Sequence, residues 1–167
     1  MPKKQRALAM ADIAALLRQA AEAVAADQFY REVERIAGET IGWRLFTILR
    51  YVEAASAVER LYSSDPEAYP VGGRKPLDKI AASHRVLERG ECFLAASKQE
   101  VRQAFFDHEL IFSLGISAIL NAPIRHAGRR LGTLNLCGEE GMYGAAELAT
   151  AGMLAGLLAP SLLGLGD

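Results

Sequence analysis

The stretch 116–137, ISAILNAPIRHAGRRLGTLNLC, constrains this chain more than any other. It reads as two apolar strands joined by a tight turn at Ala127-Gly128, where glycine supplies the positive φ that a short hairpin turn needs. A two-residue turn pairs His126 with Arg129, Ile124 with Leu131 and Asn121 with Leu134. In that register one face carries Ile119, Asn121, Pro123, Gly132, Leu134 and Leu136. The other carries Ala118, Leu120, Ala122, Ile124, Leu131, Thr133, Asn135 and Cys137. Both faces are mostly apolar. A hairpin with one wet face alternates apolar and polar residues, so this one is expected to be covered on both sides. The expected fold class is α/β (α+β): a central antiparallel sheet of about five or six strands with helices on both faces.

The rest of the chain supplies those layers. Residues 7–25 repeat apolar positions at helical spacing (Ile13, Leu16, Leu17, Ala20, Val24), a narrow stripe that needs a partner. Residues 28–37 form a second helix with Phe29, Val33 and Ile36 inward, and Gly38 is expected to end it. WRLFTILRYV (43–52) and AVERLYSS (57–64) are rich in β-formers and read as a strand pair. Residues 65–76 hold three prolines and two glycines and read as a loop with no regular element. A helix is expected over 76–90, a short strand over 91–95, a helical turn over 97–105 and a short helix after Asp107. The last helix starts near Gly144, with Glu147 in its first turn, where the macrodipole favours an acid.

A net charge of −1 gives no general attraction to nucleic acid or to an anionic membrane. The chain's 167 residues suit one domain, 28–167, preceded by the helical segment 1–27. Cys92 and Cys137, far apart, are not a disulfide framework and suit a reducing cytoplasm. KKQR before an Ala-rich run imitates a secretory signal, but Asp12, Arg18 and Glu22 break its apolar core. Residues 148–166 carry no charge and have the length of a membrane span. Their Ala and Gly content, Pro160 and the lack of an aromatic or basic anchor argue instead for a packed helix. Gly152 and Gly156 form a small-xxx-small pair that suits a close helix approach. No phosphate loop, metal-spaced Cys/His cluster or G-x-S-x-G is present, so no catalytic residue, metal or cofactor is indicated.

The hairpin, S-x-I-L-N-x-P-I from Ser117 and then G-x-x-L-G-T-L-N-L from Gly128, resembles the C-terminal half of a GAF domain, a small-molecule sensor module related to PAS domains. The resemblance implies an enzyme only in one branch, the free methionine-(R)-sulfoxide reductases. Where that branch has a Cys-Asp pair and a glutamate, this chain has Phe112, Ser113 and Ile119, so a reductase is not expected. The Asn-Lys pair of cyclic-nucleotide-binding GAF domains is met here by Asn135 and Leu136, and their later acid by Glu147. The histidine-flanked cysteine of the phytochromes is absent.

GAF ligands sit on one sheet face, which the resemblance places under residues 62–75 and 96–115. The candidate ligand-binding residues are therefore Tyr62 and Tyr69, Lys98 and Arg102, Phe106, Asp107 and His108, and Phe112 and Ser113, with Asn135 from the hairpin. For Asp107 a helix cap is the competing role, and for the two tyrosines it is packing. GAF proteins often dimerise through their first and last helices, so a homodimer is expected here. The expected function is a small-molecule sensor without its own output domain. A protein-interaction scaffold with a filled pocket is the alternative.

Overall fold

The computed structural model describes residues 3–22, 24–80 and 82–165. Its elements in chain order are α1 (Met10–Ala21), α2 (Ala26–Thr40), β1 (Leu45–Val52), β2 (Ala57–Ser63), β3 (Arg74–Pro76), β4 (Phe93–Ala95), α3 (Lys98–Ala104), α4 (His108–Ser113), β5 (Ala118–His126), β6 (Arg129–Gly138) and α5 (Ala145–Leu163). The strands form one antiparallel sheet in the order β3-β2-β1-β6-β5-β4. The expected α+β class and the sheet covered on both faces are what the chain adopts.

The hairpin β5–β6 turns at Ala127 (φ 47°) and Gly128 (φ 79°), the pair of positive angles that a tight twisted turn requires. Its register corrects the reading from sequence. Arg125 still pairs with Arg130, but Ile124 pairs with Gly132, so Leu131 is an extra residue in a β-bulge. A slip of one residue moves every side chain to the opposite face. Thr133, Asn135 and Cys137 therefore join Ile119 and Asn121, while Leu134 and Leu136 join Leu120 and Ala122. Gly132 makes the bulge possible: a Cβ there would lie 1.9 Å from the Leu49 carbonyl oxygen. A second bulge interrupts β1–β2. Ile48 pairs with Tyr62 but Leu49 with Arg60, so Tyr62 and Arg60 fall on opposite faces despite their spacing of two.

One face of the sheet is covered by α1, α2 and α5. Phe46, Ile48, Leu120, Leu134 and Leu136 pack there against Val33, Ile36, Leu154 and Leu158, all fully buried. Leu16 of α1 is fully buried in the same cluster, so the narrow stripe finds its partner within the chain. Arg6 ties α1 to α2, reaching Asp12 at 2.6 Å and Glu39 at 2.7 Å. Its hydrogen bond holds the Asp12 carboxyl below its ordinary value. Glu147 caps α5 by accepting from the Gly144 N–H at 2.9 Å and pairs with Lys4 at 2.6 Å. The other face is covered by α3, α4 and the segments between β2 and β4.

Three local expectations need correction. Helix α2 runs through Gly38 to Thr40 and is closed by Gly42 at φ +85°, because the buried Gly38 sits within its packed face. The loop 65–76 ends in the three-residue edge strand β3, paired with the start of β2. The helix expected over 76–90 is instead a 3-10 turn at Leu77–Lys79 and a wide π-type turn at His84–Glu88, with Ala81 between them outside the described residues. Ala23, within the first expected helix, also lies outside them, as do Met1, Pro2, Gly166 and Asp167 at the ends of the two expected segments. The glycines of α5 do not meet another helix in this chain: a Cβ at Gly152 would touch only the Cys92 sulfur, at 3.7 Å, and one at Gly156 nothing. By length and composition α5 is apolar enough to cross a membrane, yet its Ala151, Leu154, Ala155 and Leu158 are buried against the sheet and its neighbouring helices.

Two substitutions test this account by chemical denaturation. Gly132→Ala is expected to cost about 3 kcal/mol or more, since backbone must move to admit the methyl. Gly156→Ala is expected to add roughly 0.5–1 kcal/mol by helix propensity. A loss at Gly156 would mean that another helix seats there.

Candidate ligand-binding site

A cavity of about 90 Å³ lies between the sheet and its irregular cover. Its floor is built from the outward row of the bulged hairpin. Asn121, Asn135 and Thr47 stand side by side on β5, β6 and β1. Asn121 Nδ2 donates to Asn135 Oδ1 at 2.5 Å, and Asn135 Nδ2 donates to Thr47 Oγ1 at 3.2 Å. All three side chains are buried, and each hydrogen bond offsets desolvation of its partners. Leu45, Cys137 and Ile119 flank them on one side, and Leu49 and the buried Thr133 on the other. The cover brings Leu77, Ile80, Val86 and Leu87 from the broken 76–90 segment, and Phe105 and Phe106 from the link between α3 and α4. Ile80 and Phe105 form a single β-bridge that joins the two parts of the cover.

One end of the cavity is charged and centres on Tyr69. This ring is buried beneath the Arg60 guanidinium, 4.9 Å from its centroid, and lies 5.1 Å from Lys75 Nζ. The Tyr69 hydroxyl donates to Asp107 Oδ2 at 3.2 Å, and Lys75 Nζ reaches the same oxygen at 2.5 Å. Burial, and then Asp107, push the Tyr69 phenol well above its usual value, so it stays protonated and donates. Arg60 is 5 % exposed. Burial draws its pKa down from the usual value while Tyr69 and Asp107 draw it back, and a guanidinium remains charged at neutral pH. Two buried atoms at this end have no hydrogen-bond partner among the described residues: Arg60 Nε and Asp107 Oδ1.

Arg60 also fixes the loop before β3. Its N–H donates to the Gly73 carbonyl at 2.9 Å, its carbonyl accepts from Gly72 at 2.8 Å, and its Nη1 donates to the Pro70 carbonyl at 2.9 Å. Gly73 leaves room for this, because a Cβ there would stand 2.6 Å from Nη1. The proline- and glycine-rich loop is thereby a wall of the cavity, with Tyr69 as its inward residue.

Of the residues singled out from sequence, Tyr69, Phe106, Asp107 and Asn135 line the cavity. Asp107 precedes α4 but makes no side-chain cap; its carboxylate serves Tyr69 and Lys75 instead. Phe106 is 55 % exposed and forms the rim. The remaining six sit elsewhere. Tyr62 is on the helix face, bonded to Glu34 and edge-on to Tyr30 and Phe46. Lys98 and Arg102 lie over the Phe112 ring, at 5.7 and 5.4 Å, and His108 packs on the same ring. His108 Nδ1 is bonded to the Phe105 carbonyl, and Ser113 donates to the Leu110 carbonyl at the surface. The sequence reading missed Arg60, Lys75, Thr47 and Asn121. A glycine inside a strand pattern is a known bulge signal, and at Gly132 it would have brought Asn121 and Asn135 onto one face.

A second, wider hollow of about 430 Å³ lies against α2, Trp43 and Tyr62. Its Arg35 and Glu39 pair with each other, and Arg31 pairs with Asp27, so this groove carries less unmet polarity than the first cavity.

No family model matches this chain, and no curated protein matches it. Solved structures do. A GAF domain of a phosphoenolpyruvate-protein phosphotransferase from Coxiella burnetii is 20 % identical, with TM-score 0.69, covering 89 % of this chain and 91 % of that one. The GAF domain of a two-component sensor histidine kinase from Bacillus halodurans is 14 % identical, with TM-score 0.59 and coverage of 93 % and 95 %. The phycocyanobilin-bound GAF domain of a cyanobacterial phytochrome is 15 % identical, with TM-score 0.68 and coverage of 92 % and 94 %. The sheet order, the helix layer and the covered outer face of this protein are those of the GAF fold.

Proposed function

We propose that this chain is a cytoplasmic sensor domain that binds a small molecule between the sheet and its cover and passes the event to other proteins through its helix layer. The observation that carries the reading is the mostly apolar, part-open cavity with a polar floor and two unpartnered buried atoms at one end. Solved proteins of the same fold include a sensor histidine kinase domain and a domain with a bound bilin, which supports a ligand-binding role. The path outward is one strand thick. Asn135 faces the cavity, while its neighbours Leu134 and Leu136 pack in the cluster that holds α5.

We infer no thiol enzyme. A nucleophilic cysteine needs a lowered pKa, and burial pushes Cys137 up to about 12 and also raises Cys92. The homodimer remains part of the proposal. Leu17 of α1 and Met153 of α5 are 54 % and 49 % exposed after α1 has packed on its own chain, which leaves apolar surface on both helices. A scaffold with no ligand is the second reading, favoured by the same exposed side chains.

Native and denatured mass spectrometry tests these points together. The expected native species is a dimer at twice 18.0 kDa with extra mass that is lost on denaturation. A dimer with no extra mass, unchanged by dialysis against small-molecule extracts, would favour the scaffold. A monomer would remove the helical-dimer part.

A further inference from the structure

Resting on that ligand-binding reading, we propose that the cavity takes a small monoanionic hydroxycarboxylate with a branched apolar body. The charged end sets the head group. Lys75 stands on Asp107 Oδ2 and matches its charge, which leaves the Arg60 guanidinium without a carboxylate partner among the described residues. A buried guanidinium with a free Nε–H is a donor for a carboxylate oxygen, and its own charge calls for one negative charge in return. The other unpartnered atom, Asp107 Oδ1, can only accept. The ligand must therefore donate one hydrogen bond as well. A hydroxyl does this without adding a charge. An ammonium would donate too, but it would cancel the negative charge that Arg60 requires.

The remainder of the cavity sets the body. Leu49, Val58, Ile80 and Val86 are apolar walls that fit a branched alkyl group and offer nothing to a second charge. Size limits it further. A cavity of about 90 Å³ has more space than one water needs and less than a drug-sized pocket, which suits a short branched hydroxy acid. Inorganic phosphate would satisfy Arg60 but leave the apolar walls unfilled.

The test is calorimetric titration of the dialysed full chain with 2-hydroxyisovalerate, isovalerate, 2-hydroxyisovaleramide, L-valine and inorganic phosphate. Saturable binding of 2-hydroxyisovalerate is expected. Isovalerate should bind about tenfold more weakly, because Asp107 Oδ1 stays unmet, and the uncharged amide about a hundredfold more weakly. Asp107→Ala should abolish the preference for the hydroxyl while keeping isovalerate binding. The ligand series on the unaltered chain decides the question even where that variant does not fold. Equal affinity for amide and acid, equal affinity for isovalerate and its hydroxy acid, or tighter binding of valine or phosphate would each overturn the proposal. So would no binding of any of them at about 10 mM to a folded chain. In that last case native mass separates the two readings. A co-purified molecule of another class leaves the sensor reading standing and ends this one, whereas no added mass even after dialysis against small-molecule extracts ends both.

Discussion

Gly132 lies so close to the Leu49 carbonyl that no side chain fits, and the arrangement of the cavity depends on that approach. It lets β6 carry one residue more than β5 opposite it, which turns Thr133, Asn135 and Cys137 toward the cavity and Leu134 and Leu136 toward the helices. Without the bulge the strand would present leucines to the cavity and an asparagine to α5. The polar row Asn121–Asn135–Thr47 and the tight packing of α5 are thus two results of one backbone irregularity. The bulge in β2 works in the same sense. It sends Arg60 to the cavity and Tyr62 to the helix layer, where strict alternation would keep them together.

These two irregularities also mark the boundary of what the sequence discloses. The strands β1, β2, β5 and β6 were legible because their β-branched and apolar runs are long, and the hairpin turn because Ala127-Gly128 has few conformational options. The sheet with helices on both faces followed from a hairpin apolar on both sides. Face assignment failed, since it rests on counting by two and a bulge resets the count. Tyr62 enters the candidate set because the resemblance places the ligand under 62–75, a window that leaves out Arg60, whereas the bulge in β2 turns Tyr62 to the helix layer and Arg60 to the cavity. Lys98, Arg102 and His108 fall outside the cavity lining because of their own neighbours. They lie in the right segment, but a cluster around Phe112 satisfies them outside the cavity. The 76–90 segment kept its apolar residues Val86 and Leu87 inward, yet closing over a curved sheet face broke the expected helix into turns.

In the proposed function the two faces of the sheet divide the labour between stability and recognition. On the helix side, continuous apolar packing and the Arg6–Asp12–Glu39 cluster hold α1, α2 and the sheet together. On the cavity side, the cover is made of short turns, a three-residue edge strand and two helices of seven and six residues. Such pieces have few internal hydrogen bonds of their own and open at lower cost than the helix layer. In the proposed sensor a ligand enters there without disturbing the core that defines the fold.

Arg60 joins the two sides of that division. Its side chain leaves water when the loop 65–73 closes on it, and the Pro70 carbonyl and the Tyr69 ring replace only part of its hydration. Dehydrating a charge is the large unfavourable step in forming most buried ion pairs. Here folding has already completed that step for one partner. In the proposed complex an arriving anion has only its own hydration to lose, and it meets a guanidinium anchored to the loop through the Pro70 carbonyl. The folded protein is therefore held in a state of incomplete electrostatic compensation, a cation spread over a buried guanidinium whose Nε has no hydrogen-bond partner among the described residues.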